Sequence, residues 1–237
     1  MNYWERKEKL FKYTEGVRQF FPLANEQLDV IARIVDKFNP QIKNFLDLGC
    51  GDGFLGYFIN TLYPDTKGVF MDISGEMIAK AKQKDKKNRF EFIIQDLSKD
   101  GWFKKMEPRR SFDLIISGYS IHHLPTEKKK RLYKNIYRLL TPHGLFLNLE
   151  HVSSPSKNFE ELFGVLFDDG MMAYQKHIGE EKTREEIAEI YHDPNHQKLN
   201  VLEPVERQCE WLKDIGFLEV DCYMKIFELA LFGGVKM

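Results

Sequence analysis

Four glycines, Gly49, Gly51, Gly53 and Gly56, crowd into eight residues, and an acid, Asp47, stands two residues ahead of them. A glycine turn of this density, set after an apolar run and before a helix, brings a ligand against bare backbone and the N–H groups of a helix N-terminus. Gly51, Gly53 and Gly56 spell G-x-G-x-x-G, a pattern of low specificity on its own. Asp72 follows about 20 residues on, where a carboxylate accepts hydrogen bonds from ribose hydroxyls. That pair suits any adenosyl ligand and does not choose among them. Asp47 chooses: its charge is repelled by a pyrophosphate and attracted by the ammonium of an amino-acid moiety. In "QDL" (residues 95–97), Asp96 stands where an acid accepts from an adenine amino group.

Proton-transfer chemistry has its own candidates. His122 and His123 close the stretch "SGYSIHHL" (residues 117–124), and Glu150 with His151 follows a later apolar run. Imidazole changes charge closest to neutral pH, and a strand-end carboxylate meets substrate, so His122, His123 and Glu150 are the candidate catalytic bases. His192 and His196 lie four apart, but Pro194 between them breaks a helix and removes the shared face a metal would need. No metal is expected. Phe159, Phe163, Phe167, Met171 and Met172 suit either a substrate pocket or the packing of inserted helices.

The elements that must position these groups alternate. Apolar runs at 45–48, 68–72, 90–94, 112–117 and 145–149 read as strands, with helices near 53–63, 74–86 and 126–140 between them. A helix over 25–38, capped by Asn25, and another over 3–13 precede them. Tyr3, Trp4, Phe11 and Tyr13 on the latter either close over the ligand or pack on the domain. Thr141 to Gly144 reads as a turn. Such alternation implies right-handed crossovers and a doubly wound, mostly parallel sheet. Past Glu150 the pattern breaks into helices near 157–170, 183–192 and 204–215, then two closing strands at 217–223 and 226–232. The chain therefore reads as a single domain over 1–237, with N-terminal helices over 1–40 and a helical lid insertion over 155–215.

Composition sets the outer bounds. With 43% apolar and 30% charged residues among 237, the chain reads as soluble and globular. No apolar run is long enough for a membrane span, no signal region is evident, and three dispersed cysteines point to a reducing cytoplasm. Residues 1–149 carry 26 Lys and Arg against 18 Asp and Glu, a charge of +8; residues 150–237 carry 9 against 18, a charge of -9. Basic runs at Lys80–Arg89 and Lys128–Arg131 fall on crossover helices, away from the strand ends, while the lid is acidic. Nucleic acid is therefore disfavoured as a partner and a small-molecule acceptor favoured, in a monomer or homodimer.

Taken in order, "FLDLGCGDG", "GVFMDIS", "IIQDL", "FDLIISGYSIHHL" and "IYRLLTPHGLFLN" resemble the class I S-adenosylmethionine-dependent methyltransferases over about residues 42–150 and the terminal strands. The resemblance implies a seven-stranded Rossmann-like sheet of order 3-2-1-4-5-7-6, with strand 7 antiparallel, and S-adenosylmethionine as cofactor. It implies that Gly49 and Gly51 approach the methionine part, that Asp47 holds its ammonium and that Asp72 takes the ribose. Ile73 and Met77 would pack on adenine, Asp96 with Leu97 would read its amino edge, and Ser117, Gly118, Tyr119 and His122 would flank the sulfonium. The segment Glu210–Gly234 and the insertion resemble the branch that includes carboxy-S-adenosylmethionine synthases of tRNA wobble-uridine modification. Arg184 is the one arginine between Arg138 and Arg207, too few to bind a cofactor carboxylate convincingly. The expected reaction is methyl transfer by in-line displacement. Synthesis of a carboxylated cofactor is the alternative, and a nicotinamide oxidoreductase a weaker one.

Overall fold

The computed structural model describes residues 22–39, 41–106, 111–191 and 199–237. The expected helix over 3–13 and the His192/His196 pair lie outside them. Among the described residues no helix is long and apolar enough to cross a membrane, and no three His, Cys, Asp or Glu side chains gather as a metal site.

The chain runs α1 (Ala24–Phe38), β1 (Asn44–Leu48), α2 (Phe54–Leu62), β2 (Lys67–Asp72), α3 (Gly75–Lys84), β3 (Glu91–Ile94) and β4 (Phe112–Gly118). Next come α4 (Thr126–Leu139), β5 (Leu140–His151), α5 (Lys157–His177), α6 (Arg184–Tyr191), α7 (Val205–Ile215), β6 (Phe217–Ile226) and β7 (Leu229–Lys236). The seven strands form one sheet of order β3-β2-β1-β4-β5-β7-β6. Strands β1 to β5 pair in parallel, while β7 lies antiparallel between β5 and β6.

Alternation along each strand sorts the core into two layers. Phe45, Leu114, Ile116, Leu145 and Leu147 face α1 and α2 in one apolar cluster. Leu46, Ile115, Phe146, Ala230 and Phe232 face α4 and α7 in the other. Both sheet faces are therefore dry, which is why the strands read as unbroken apolar runs. Helix α1 covers its layer with Leu28, Ile31, Ala32 and Val35, a stripe at helical spacing.

Four local expectations need correction. Leu23, at φ 55°, and not Asn25, stands at the N-cap of α1, which starts one residue earlier than read. Thr141–Gly144 is no separate turn: β5 starts at Leu140 and runs through it, with a register shift against β4 and His143 at φ 63°. Helix α5 continues to His177, well past the expected 170. The run Lys128–Arg131 is not a solvated face throughout, because Lys129 is only 1% exposed.

Candidate active site

The carboxyl end of β1 turns sharply. Gly49 and Gly51 take φ 63° and 54°, in the left-handed region where a side chain is strained. A Cβ on Gly49 would also lie 1.8 Å from the Ser120 hydroxyl, whereas one on Gly51 would meet nothing within 4 Å. Gly49 is thus required by packing, and Gly51 presents bare backbone to open space. Two carboxylates fix the turn. Asp47, buried, accepts from Gly56 N–H at 2.8 Å in the first turn of α2. Asp72, at the end of β2, accepts from Gly51 N–H and Ser74 N–H, both at 2.8 Å.

These groups border a cavity of about 670 Å³, within the range of small-molecule sites. Asp47, Gly49, Gly51 and Asp72 form its floor, and Gly118 and Tyr119 come from the end of β4. Ile73 and Met77 line it as exposed apolar side chains, the former 65% accessible. The open cradle at Gly51, the acids and the apolar lip suit a ligand with a polar amino-acid end and a flat apolar base. Gln27 of α1 also lines it and accepts from the Tyr119 hydroxyl at 3.1 Å. Burial, backed by the nearby Glu150 charge, pushes the Tyr119 phenol well above its usual range, so it stays a donor.

A second cavity, of about 920 Å³, shares Tyr119 and opens toward α5. His122 and His151 line it with Phe163, Phe167 and Asp168 of α5 and Asn200 and Leu202 of the segment before α7. Two histidine–carboxylate pairs stand at its wall, with Glu228 among the lining residues and Glu150 behind them. His122 Nδ1 donates to Glu150 Oε1 at 2.6 Å, and His151 Nε2 donates to Glu228 Oε2 at 2.7 Å. Glu150 is 1% exposed and also accepts from His151 N–H at 2.9 Å. Lys129 Nζ donates to the Val201 carbonyl, while Val201 N–H donates to the His122 carbonyl at 2.9 Å, which ties this segment to the histidine turn. Burial pulls the Lys129 ammonium below its usual range, against the opposing charges of Glu150 and Glu203.

Several sequence candidates sit elsewhere than expected. Ser117 is fully buried and donates to the Leu48 carbonyl at 2.8 Å, joining β4 to β1 with no face toward either cavity. Glu150 lines neither cavity and meets the second through His122 and the His151 N–H. His122 itself borders the lid cavity, and His123 borders the first. His123 packs on His122, with ring centroids 3.9 Å apart, and burial followed by the His122 charge holds its imidazole below the usual value. Asp96 accepts from Ser98 N–H at 2.8 Å and does not line the first cavity, while Leu97 borders a separate crevice near Trp102. Lys80 lines the first cavity, so that basic run is not wholly remote from the strand ends. Of the aromatic and methionine group, Phe163 and Phe167 line the lid cavity, whereas Met171 is buried. Gln27, Ser120 and Glu228 were not singled out in the sequence, although Ser120 lies within "SGYSIHHL" and Glu228 within Glu210–Gly234; the folded sheet brings them here.

The sheet order, the glycine turn and the cavity at the carboxyl ends of β1, β2 and β4 are the arrangement of the class I S-adenosylmethionine-dependent methyltransferase fold. Residues 45–144 match a family model described as "Methyltransferase domain". Over its full length the chain resembles the carboxy-S-adenosyl-L-methionine synthase of Nautilia profundicola, at 25% identity over 97% of this chain and 96% of the relative. It is 32% identical to malonyl-[acyl-carrier protein] O-methyltransferase 2 of Ilyobacter polytropus, over 45% of this chain and 39% of that protein. The chain thus spans well under half the length of that methyltransferase. In fold it is similar to an O-methyltransferase family protein from Burkholderia thailandensis, with TM-score 0.60 at 14% identity, over 98% of this chain and 68% of that one. Human N-acetylserotonin methyltransferase in complex with SAM gives TM-score 0.56 at 18% identity, over 98% and 56% of the two chains.

Proposed function

We propose that the chain transfers the methyl group of S-adenosylmethionine to a small molecule held under the α5–α6 lid. The observation that carries this reading is the pair of cavities meeting at Tyr119, one floored by the glycine turn and one walled by the lid. When bound, the cofactor supplies an electrophilic methyl on a sulfonium that is already a leaving group. The chain's own part is alignment, with the reacting atoms held about 3 Å apart. Asp47 and the turn at Gly49–Gly51 hold the methionine end, Asp72 takes the ribose hydroxyls, and Ile73 and Met77 cover adenine. His122, oriented through Nδ1 by Glu150, takes a proton from the acceptor where one must leave. The cavity size and its acid-rich wall support a small acceptor over a nucleic acid. Three free thiols, Cys50, Cys209 and Cys222, support a cytoplasmic setting.

Calorimetry with S-adenosylhomocysteine tests the cofactor assignment. Micromolar or tighter binding is expected, weakened about tenfold by Asp72→Asn, which keeps the shape and removes the charge. A nicotinamide dinucleotide that binds while S-adenosylhomocysteine does not would overturn it.

The full-length likeness to a carboxy-S-adenosyl-L-methionine synthase favours a second reading, synthesis of that modified cofactor. Against it, Arg184 is already engaged by Asp168 at 3.9 Å and by Asp169. Mass spectrometry of the ligand released from freshly purified protein separates the two.

A further inference from the structure

We infer that the lid cavity takes its acceptor as an organic cation, an amine on an apolar or aromatic body. This rests on the methyl-transfer reading. Glu160, Glu161, Asp168 and Glu228 face the cavity against one amine, Lys157; with the lining His122 and His151 neutral, four acids less one base leave three net negative charges on its wall. Lys157 itself stands 3.9 Å from Glu161. The cation nearest Asp168, Arg184, lies outside the lining and is shared with Asp169, so it does not reverse the sign. Between the acids the wall is aromatic, from Phe163 and Phe167 to Tyr119. Carboxylates and ring faces together attract an ammonium and repel a carboxylate.

The His122–Glu150 pair, with His122 on the wall and Glu150 behind it, completes the chemistry. An ammonium has no free electron pair, so it must lose a proton before it attacks. His122 gives Nδ1 to Glu150 and keeps Nε2 for that proton. The N–H bond breaks, the proton passes to Nε2, and the freed pair forms the N–CH3 bond. The S–CH3 bond breaks with its electrons returning to sulfur. The products are a methylated ammonium and S-adenosylhomocysteine, with the proton left on His122 opposite the Glu150 charge.

Equilibrium dialysis with three matched probes tests this: 2-phenylethylamine, 2-phenylethanol and 3-phenylpropanoate, each with and without saturating S-adenosylhomocysteine. The amine is expected to bind about tenfold tighter than the carboxylate, with the preference shrinking at about 0.5 M salt. Charge reversal at two exposed positions of α5, Glu160→Lys with Glu161→Lys, is expected to abolish it. Equal binding of all three, binding of none, tighter binding of the carboxylate, or a preference that survives the reversal would each overturn the inference. The arm without cofactor keeps the tests separate. Failure of S-adenosylhomocysteine to bind counts against the methyltransferase reading, while the amine preference is still read on its own.

Discussion

Replacing Glu150 with glutamine isolates what its charge does. The side chain is buried and holds His122 Nδ1 at 2.6 Å and His151 N–H at 2.9 Å through the same oxygen, Oε1. Glutamine keeps an oxygen in that place, so both contacts survive. The other oxygen, Oε2, lies 3.5 Å from Asn148 Nδ2, while Asn148 Oδ1 is buried without a hydrogen-bond partner. A glutamine amide meets Asn148 Oδ1 only if Asn148 flips, which turns its Nδ2 to the unpartnered side and away from the Tyr133 hydroxyl, so the fold is expected to lose about 1 kcal/mol and to stay folded. What is lost is the charge assistance given to a protonated His122. A hydrogen bond to an ionised group contributes about 1.5–3 kcal/mol and a neutral one about 0.5–1.5, a difference of about 1–2 kcal/mol. If His122 takes the acceptor's proton in the rate-limiting step, kcat falls about 5- to 30-fold with KM nearly unchanged. The assay is S-adenosylhomocysteine formation with the best-bound amine, run beside a thermal melt. An unchanged kcat with an unchanged melt refutes the proposed partnership. A loss that appears only in KM refutes it too, because the charge would then act on binding alone.

Two further outcomes follow from the geometry. Gly49→Ala places a side chain at φ 63° and 1.8 Å from the Ser120 hydroxyl, and is expected to cost about 1–3 kcal/mol, or a melting point lower by about 2–10 °C. Gly51→Ala meets no neighbour, so it is expected to melt closer to the parent yet lose more than about tenfold in S-adenosylhomocysteine affinity; equal behaviour of the two variants contradicts the division of roles. Lys129 titrates below its usual value in the folded protein, so on the alkaline side the unfolded chain holds a proton that the folded one has released. Stability relative to Lys129→Met should therefore rise with pH in a window ending near the ordinary lysine value, by at most about 1.4 kcal/mol per pH unit. Urea melts of both proteins at successive pH values check it, and a flat or falling difference contradicts the sign.

The glycine turn and the strands around the first cavity were legible because their signals are local. A glycine turn between two apolar runs, followed by an acid after the next run, states its purpose within 30 residues. Strands covered on both faces show as apolar runs without needing a partner to interpret them. The lining of the second cavity follows a different logic. His122 and Glu150 were both visible, but their contact joins positions 28 apart through the β4–β5 pairing, so each looked like a separate base. Ser117 and Asp96 read as ligand groups, yet each satisfies a backbone group of its own neighbourhood, an economy that residue type alone does not reveal. Gln27 and Glu228 carried no signal at all. Their role depends on which helix lies over β5 and on where the closing hairpin turns.

The antiparallel strand β7 has a consequence for how the chain is made. Translation delivers β6 before β7, yet β6 has no place beside β5; the sheet order reserves that slot for β7. Until residues 229–236 emerge from the ribosome, the flank of β5 from Leu145 to Leu149 remains an unpaired apolar edge. Open edges of this kind recruit other strands, so the interval before the last strand arrives is when the nascent chain is most exposed to aggregation and to chaperone capture.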